Sequence, residues 1–146
     1  MAIEVRSEIF IEKPPSGVAE VMFNPKMDKL WIRSLREVFP MGSGLYKKGD
    51  KVERVGDFMN KRYSAKVQVL RCEPEKSAEL YLDEPFEMKQ RYELAAADGG
   101  TNVKITLMSI GELQYNTPVT ILSRKIEDDL KDDLANLKKL VEAQDD

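Results

Sequence analysis

Four polar side chains are the candidates for chemistry in this sequence: an arginine, two tyrosines and a glutamine. They are Arg54, Tyr63, Gln90 and Tyr92. An arginine can stabilise the negative charge of an enolate, and a tyrosine can donate a proton to a reacting group. The sequence of 146 residues contains no histidine and a single cysteine, Cys72. It therefore lacks the commonest general base, and it can form neither an intrachain disulfide nor a cysteine-rich zinc cluster.

The position of polar residues along predicted strands indicates which of them face a common interior, because residues i and i+2 of a strand share a face. Arg54, for example, shares its face with Val52 and Phe58. By this rule the interior residues that could contact a ligand are Ser7, Arg54, Tyr63, Met88, Gln90, Tyr92 and Ser109. A few polar groups among apolar neighbours are typical of a small-molecule site. Each buried serine or tyrosine can equally be a core residue that bonds to the backbone or to water.

Arg54 gives the most specific expectation, because a buried guanidinium needs an acidic partner. No acidic residue stands at an inward position of the predicted strands. Either a ligand carboxylate or phenolate supplies the counter-charge, or a β-bulge turns Arg54 outward. The first alternative predicts an anionic or strongly accepting ligand group near Arg54, shared with Tyr92 or Gln90. Trp31 either stacks on that ligand at the mouth of a cavity or closes the core.

The elements that must position these residues follow from the alternation of apolar and polar residues. Strands are predicted at Ile3–Glu12, Leu35–Phe39, Lys51–Phe58, Lys61–Cys72, Ala78–Asp83, Phe86–Leu94 and Thr101–Gly111. Two short helices, Ser16–Phe23 and Pro25–Leu30, follow the first strand. Asp98-Gly99-Gly100 predicts a tight hairpin, because glycine adopts the positive φ that such a turn needs.

A long amphipathic helix is predicted from about Thr117, as its cap, to Ala143. Its apolar residues recur at spacings of three and four: Val119, Leu122, Ile126, Leu130, Leu134, Leu137 and Val141. We expect Ile126 and Leu130 to face the interior and contact a ligand. The acidic pairs Asp128-Asp129 and Asp132-Asp133 have no glycine-bearing loop that could form a calcium site, so they are assigned to a solvated face.

The sequence also predicts two surface features, a mobile loop and an apolar patch. The loop from Met41 to Asp50 contains three glycines, and it is expected to be exposed, mobile and able to act as a lid beside Trp31. Phe10 and Tyr81 lie on the outward faces of their predicted strands. They could therefore be part of an exposed apolar patch that binds a protein partner.

Composition bounds the function further. The net charge is −3, which argues against nucleic acid as a partner, and no run approaches the roughly 20 apolar residues of a membrane span. The N-terminus is unlike a secretory signal, so a cytoplasmic protein is expected. Length and the absence of repeats predict one domain over residues 1–146, and nothing in the sequence indicates a metal or cofactor.

The order of these elements resembles that of the START-like superfamily, also called SRPBCC, and within it the polyketide cyclase/dehydrase-like branch. The matching features are Ile11-Glu-Lys-Pro-Pro15, Val18 to Pro25, Trp31, Gly49 to Val52, Glu73-Pro74, Asp98 to Leu107 and the terminal helix. The resemblance implies an α+β helix-grip fold, in which a curved antiparallel sheet of about seven strands wraps round the long C-terminal helix.

The resemblance also implies a cavity between sheet and helix that holds a small hydrophobic or amphipathic molecule, for transport or for sensing. Relatives of this kind include lipid carriers, aromatase/cyclase enzymes and domains that bind proteins. Because one fold serves all three functions, the residues of the site must decide between them. No inward pair of carboxylates and no tuned base is evident, so ligand binding without catalysis is favoured. A cyclase-like enzyme and a protein-interaction domain are the alternatives.

Overall fold

The computed structural model describes residues 3–111, 113 and 115–144, and within these ranges it contains seven strands and three α-helices. In chain order the elements are β1 (Glu4–Ile11), α1 (Pro15–Met22), a 3-10 turn (Pro25–Met27), α2 (Asp28–Trp31), β2 (Leu35–Pro40), β3 (Lys51–Phe58), β4 (Lys61–Glu73), β5 (Ser77–Leu82), β6 (Met88–Ala97), β7 (Gly100–Ser109) and α3 (Val119–Glu142).

The strands form one curved antiparallel sheet in the order β1-β7-β6-β5-β4-β3-β2. Strands β2 to β7 pair with their neighbours in sequence, and β1 joins the sheet beside β7. Short turns therefore suffice for most connections, as in the β6–β7 hairpin, where Gly99 has a φ of +80°. The predicted hairpin and the predicted antiparallel sheet are confirmed.

Helix α3 is held against the sheet by the apolar stripe that its sequence predicted. Leu122, Ile126, Leu130, Leu134 and Leu137 are all buried. Each such side chain stabilises the fold by roughly 1.5–3 kcal/mol through removal of apolar surface from water. Near the end of the helix, Lys138 Nζ donates to the carbonyl oxygen of Phe10 at 2.7 Å, and Glu142 accepts from the backbone N–H of Glu12 at 2.8 Å. These contacts fix the end of α3 to β1.

The starts of two helices differ from the predicted ones, and both lie next to a proline, Pro25 or Pro118. The second predicted helix is a 3-10 turn followed by the single turn α2, and Asn24 caps the 3-10 turn by accepting from the backbone N–H of Lys26. Thr117 does not cap α3, because the N-cap is Pro118 and no side chain bonds there. None of the helices in the described ranges is long and apolar enough to cross a bilayer.

The predicted apolar patch at Phe10 and Tyr81 is wrong. Both residues are half-buried. The Lys138 ammonium lies 6.0 Å from the centre of the Phe10 ring, and the Tyr81 hydroxyl donates to Glu87 at 2.7 Å. Neighbouring polar side chains thus cover both rings. The large exposed apolar residues among those described are Leu30, Phe39, Met41, Leu45, Ile110 and Ile121.

Candidate functional site

A cavity of about 90 Å³ lies between the sheet and α3. Eight of the ten predicted site residues line it: Trp31, Arg54, Tyr63, Met88, Gln90, Tyr92, Ile126 and Leu130. Strand parity and the helical stripe therefore placed seven of these eight residues correctly on the wall, and Trp31 is the eighth. The two remaining residues lie elsewhere. Ser109 Oγ accepts a hydrogen bond from the backbone N–H of Ile3 at 2.7 Å, and Ser7 is half-buried on β1, opposite Ile105 of β7.

Arg54 points inward as its parity predicted, but it has an acidic partner within the protein. Its Nη2 donates to Asp28 Oδ2 at 2.8 Å, and both side chains are buried. The expectation of an unpaired guanidinium that needs an anionic ligand is therefore wrong. Asp28 was missed because it belongs to α2, where strand parity does not apply. Burial raises the pKa of Asp28, whereas the neighbouring Arg54 and the hydroxyl of Tyr46 lower it.

The loop from Met41 to Asp50 does not form a lid. Tyr46 is buried in the middle of it, and its hydroxyl donates to Asp28 Oδ2 at 3.1 Å. The backbone N–H of Tyr46 also donates to the carbonyl of Phe23 at 2.8 Å. Within the part of the chain that the structure describes, the cavity wall contains no residue from this loop. The loop instead packs against the Arg54–Asp28 pair through the hydroxyl of Tyr46.

Aromatic rings form the wall around Tyr92. Trp31 lies edge-on to the Tyr92 ring, with 5.9 Å between ring centres, and Phe23 stacks on it at 6.4 Å. Burial raises the pKa of Tyr92 to about 12, although Arg54 acts in the opposite direction. Tyr92 is therefore a neutral hydroxyl at physiological pH. Trp31 is 1% exposed, so it belongs to the inner wall and not to the mouth.

Two buried N–H donors of the cavity wall have no hydrogen-bond partner among the described residues. They are Trp31 Nε1 and Arg54 Nε. A buried donor left unpaired costs roughly 1–3 kcal/mol, so native proteins seldom retain one without a purpose. Gln90 is only weakly engaged, since its amide nitrogen donates to the sulfur of Met88 at 3.4 Å. The residues of the inner wall thus include several hydrogen-bond donors that lack a strong partner.

The cavity shares wall residues of β2, β3 and α3 with a broader outer groove, and we assign its mouth to this side. Phe58 and Phe86 of the wall pack edge to face with each other and with Tyr115, with ring centres 5.8–6.2 Å apart. Asp57, Asp129 and Asp133 form the polar side. Both Arg36 and Arg62 pair with Asp57. A broader charged groove continues outward from here and shares these three aspartates.

Glycine at position 56 allows the wall to close near Tyr63. Gly56 lies opposite Tyr63 in the β3–β4 ladder. A Cβ at Gly56 would lie 2.7 Å from the Tyr63 hydroxyl and 2.8 Å from the carbonyl oxygen of Ser34. Tyr63 also forms a hydrogen bond with Ser34, and burial raises the pKa of its hydroxyl. The missing side chain therefore makes room for Tyr63 and for the start of β2.

The comparisons with known proteins identify the fold. No protein-family model matches the sequence, and no curated protein matches it significantly. Solved structures match over almost the whole chain. Ara h 8.0201 is 12% identical with a TM-score of 0.74, and covers 99% of this chain and 100% of its own. A Staphylococcus aureus protein of unknown function is 14% identical with a TM-score of 0.77, over 97% of this chain and 94% of its own.

The di-domain ARO/CYC protein BexL of the BE-7585A biosynthetic pathway has a TM-score of 0.79 at 10% identity, over 99% of this chain and 51% of its own. The chain has the START-like helix-grip fold. The fold inferred from the sequence resemblance is thereby confirmed. At these identities the START-like fold is shown, whereas its ligand is not.

Asp133 is the second site residue that the sequence reasoning missed. It was assigned with its acidic neighbours to a solvated face, but it is 8% exposed and lines the cavity. Its Oδ1 accepts from the backbone N–H of Arg33 at 3.0 Å. Burial is the largest cause that raises the pKa of Asp133 to about 7. The sequence did indicate that Asp133 faces the interior, because position 133 lies three residues after Leu130 and four before Leu137 on the apolar stripe.

Proposed function

We propose that this protein binds a small, mainly apolar molecule that carries a hydrogen-bond acceptor, in the cavity between the sheet and α3. The observation that carries this proposal is a pair of buried, unpartnered donors on residues of the cavity wall, Trp31 Nε1 and Arg54 Nε. A carbonyl, ether or hydroxyl oxygen of a ligand would satisfy them. Apolar walls provide burial and a few polar groups fix orientation, as is usual for small-molecule sites.

The size of the cavity favours a small ligand. Its volume of about 90 Å³ is well below the roughly 300–1,000 Å³ of pockets that hold drug-sized molecules. A short alkyl chain or a single ring can lie partly inside and extend through the open mouth. A long lipid tail would require the aromatic side chains at the mouth to move.

The charge of the site favours a neutral inner group. Asp28 already supplies the counter-charge of Arg54, so an additional anion beside Arg54 would not be matched. Asp133, the wall carboxylate without a cationic side chain beside it among the described residues, would also repel an anion during entry when it is ionised. A neutral acceptor can bond to the free N–H donors without either penalty. This proposal replaces the anionic ligand that the sequence alone indicated.

A cyclase-like activity is the second candidate, and it has weaker support. It would use Arg54 and the neutral hydroxyl of Tyr92 to stabilise an enolate oxygen. Because the Asp28 carboxylate neutralises Arg54, the positive potential available to an enolate is reduced. Ligand binding without turnover is therefore the function that we infer.

Linear pentanol is a suitable probe, because it combines a short chain with one hydroxyl acceptor. We expect calorimetry to detect saturable binding at one site. Trp31→Phe keeps an aromatic ring and removes the N–H, so it should weaken binding about three- to ten-fold. Ser7→Ala, outside the cavity, is the matched control and should bind as the parent does. If pentanol does not bind, or if the two variants lose equal affinity, the proposal is wrong.

A further inference from the structure

We propose that Asp133 is the binding group for a cationic amine at the mouth of the cavity, so that the ligand is a small apolar molecule with a protonated amino group at its outer end. This inference rests on the proposed function, because it requires that the cavity bind a ligand. It extends that function by assigning the ligand a charge and an orientation. The acceptor faces the inner donors and the amine faces α3.

Asp133 differs from the other two carboxylates of the cavity wall, Asp57 and Asp129, in having no cationic side chain beside it. Asp57 pairs with two arginines, Asp129 pairs with Lys125 at 3.0 Å, and Asp132 lies 3.6 Å from Arg33. In the described ranges no lysine or arginine nitrogen lies within 4.0 Å of Asp133, whose partner is the backbone N–H of Arg33. It is also the most buried of the four. A buried carboxylate of this kind needs either a proton or an external cation.

A second, independent feature marks the same cavity as a ligand site. The Trp31 indole N–H is buried and unpartnered, and Trp31 and Asp133 line the same cavity. The donor belongs to the inner wall, whereas Asp133 also lines the groove outside the mouth. One molecule that enters through the mouth can therefore satisfy both groups.

The charged groups that face Asp133 come from several elements. On α3, Asp129 and Asp132 raise its pKa; Arg54 of β3 and the Arg33 backbone N–H lower it. Asp133 in turn raises the pKa of Tyr63 on β4 and Tyr92 on β6. Arg54 would repel a cation, but Asp28 neutralises it at 2.8 Å. Arg33, Arg36, Arg62 and Lys125 also line the outer groove, where they pair with Asp132, Asp57 and Asp129. Asp133 is therefore the carboxylate of the cavity wall that is left to attract a positive ligand group.

Proton exchange accompanies this binding mode. A protonated Asp133 has no charge to attract an ammonium group, so the carboxylate form is the one that binds it. With a pKa of about 7, Asp133 is mostly ionised at about pH 8 and mostly protonated at about pH 6. Ammonium binding near neutral pH should therefore displace the Asp133 proton into the solvent. A neutral ligand of the same length should not.

Three probes of equal chain length separate the possibilities: linear pentanol, its terminal amino derivative and its terminal carboxylate derivative. At about pH 8 the aminoalcohol should bind about ten-fold more tightly than pentanol, because a hydrogen bond to a charged partner is worth more than a neutral one. The carboxylate derivative should bind more weakly than pentanol. The advantage of the aminoalcohol should fall to about two-fold at about pH 6, where only about a tenth of Asp133 is ionised.

Asp133→Asn is the matched variant, since its amide oxygen can still accept from the Arg33 backbone N–H. It should bind pentanol like the parent and should bind the aminoalcohol no better than pentanol at either pH. If pentanol binds but the aminoalcohol has no advantage in the parent, or keeps its advantage in Asp133→Asn, the assignment of Asp133 is wrong and the binding function stands. If none of the three probes binds, the proposed function itself fails.

Discussion

Arg54 and Asp28 form a buried ion pair, 26 residues apart in sequence, in which Nη2 of the arginine donates to Oδ2 of the aspartate at 2.8 Å. Tyr46 completes the cluster, because its hydroxyl donates to the same carboxylate oxygen and accepts from the same guanidinium nitrogen at 3.1 Å. The cluster joins α2, β3 and the loop after β2. It therefore holds Trp31 and Arg54, the two residues with free donors, in a fixed arrangement.

Breaking this pair on one side should destabilise the protein strongly. Asp28→Asn leaves a buried guanidinium without its counter-charge, and the expected loss in the free energy of unfolding is about 3–5 kcal/mol. Arg54→Met leaves the carboxylate unpaired and should cost a similar amount. The double variant Asp28→Asn with Arg54→Met should cost less than the sum of the singles, because no unpaired charge remains. Urea denaturation of all four proteins measures this coupling, and strict additivity would contradict it.

Tyr46 should control the order of the loop from Met41 to Asp50. Tyr46→Phe removes the hydroxyl that bonds to Asp28 and Arg54, with an expected loss of about 1–2 kcal/mol. The effect on the loop should be local. Amide hydrogen exchange at Gly49, whose N–H donates to Val69 at 2.8 Å, should quicken more than exchange in β6. Equal exchange in the variant and the parent would show that the loop is held by its backbone bonds alone.

Two glycine substitutions should have opposite effects on stability. Gly56→Ala places a Cβ within 2.8 Å of the Ser34 carbonyl oxygen, so the start of β2 must shift, at an expected cost of about 1–3 kcal/mol. Gly17→Ala is the control. Its Cβ would meet its nearest neighbour at 3.6 Å, and alanine favours the helix by roughly 0.5–1 kcal/mol. Thermal unfolding distinguishes the two variants, and a neutral Gly56→Ala would contradict the packing described at Tyr63.

Asp133 should make stability fall as pH rises. Its pKa is about 7 in the folded protein against 3.8 as the ordinary value, so between these limits the folded state binds more protons than the unfolded state. Stability is then greatest on the acid side and declines up to about pH 7. Asp133→Asn removes this term and should be more stable than the parent by about 1–3 kcal/mol at about pH 8, with little difference at about pH 4. Denaturant titrations of both proteins at both pH values measure this difference in the free energy of unfolding. A difference that does not change with pH would show that the titration of Asp133 is not its cause.

The sequence placed most of its predicted site residues correctly where they lie in regular strands and helices. Strand parity placed Arg54, Tyr63 and Tyr92 on the cavity wall because side chains alternate between the two faces of a regular strand, and no register shift occurs at these positions. No such rule covers the single turn α2, so the partner of Arg54 was not found. The glycines of the loop after β2 indicated mobility, whereas the buried Tyr46 determines its position.

Asp133 shows a different reason for failure. The spacing of the apolar residues indicated that position 133 faces the sheet. Runs of acidic residues are usually solvated, however, and Asp133 was assigned to the solvated face for that reason. The size of the cavity could not be predicted either. The cavity wall is built from residues of separate parts of the chain, such as Phe58 and Phe86, whose rings pack edge to face. Side-chain packing of that kind follows from the assembled fold and not from local sequence.

The indole N–H of Trp31 offers the most direct test of the ligand site. Trp31 is the single tryptophan in the sequence, so its indole proton gives one assignable nuclear magnetic resonance signal. Titration with linear pentanol should move this signal downfield to saturation at the affinity found by calorimetry, because the donor gains an acceptor that the free protein lacks. An indole signal that stays in place while pentanol saturates the protein would show that the ligand does not bind at these donors.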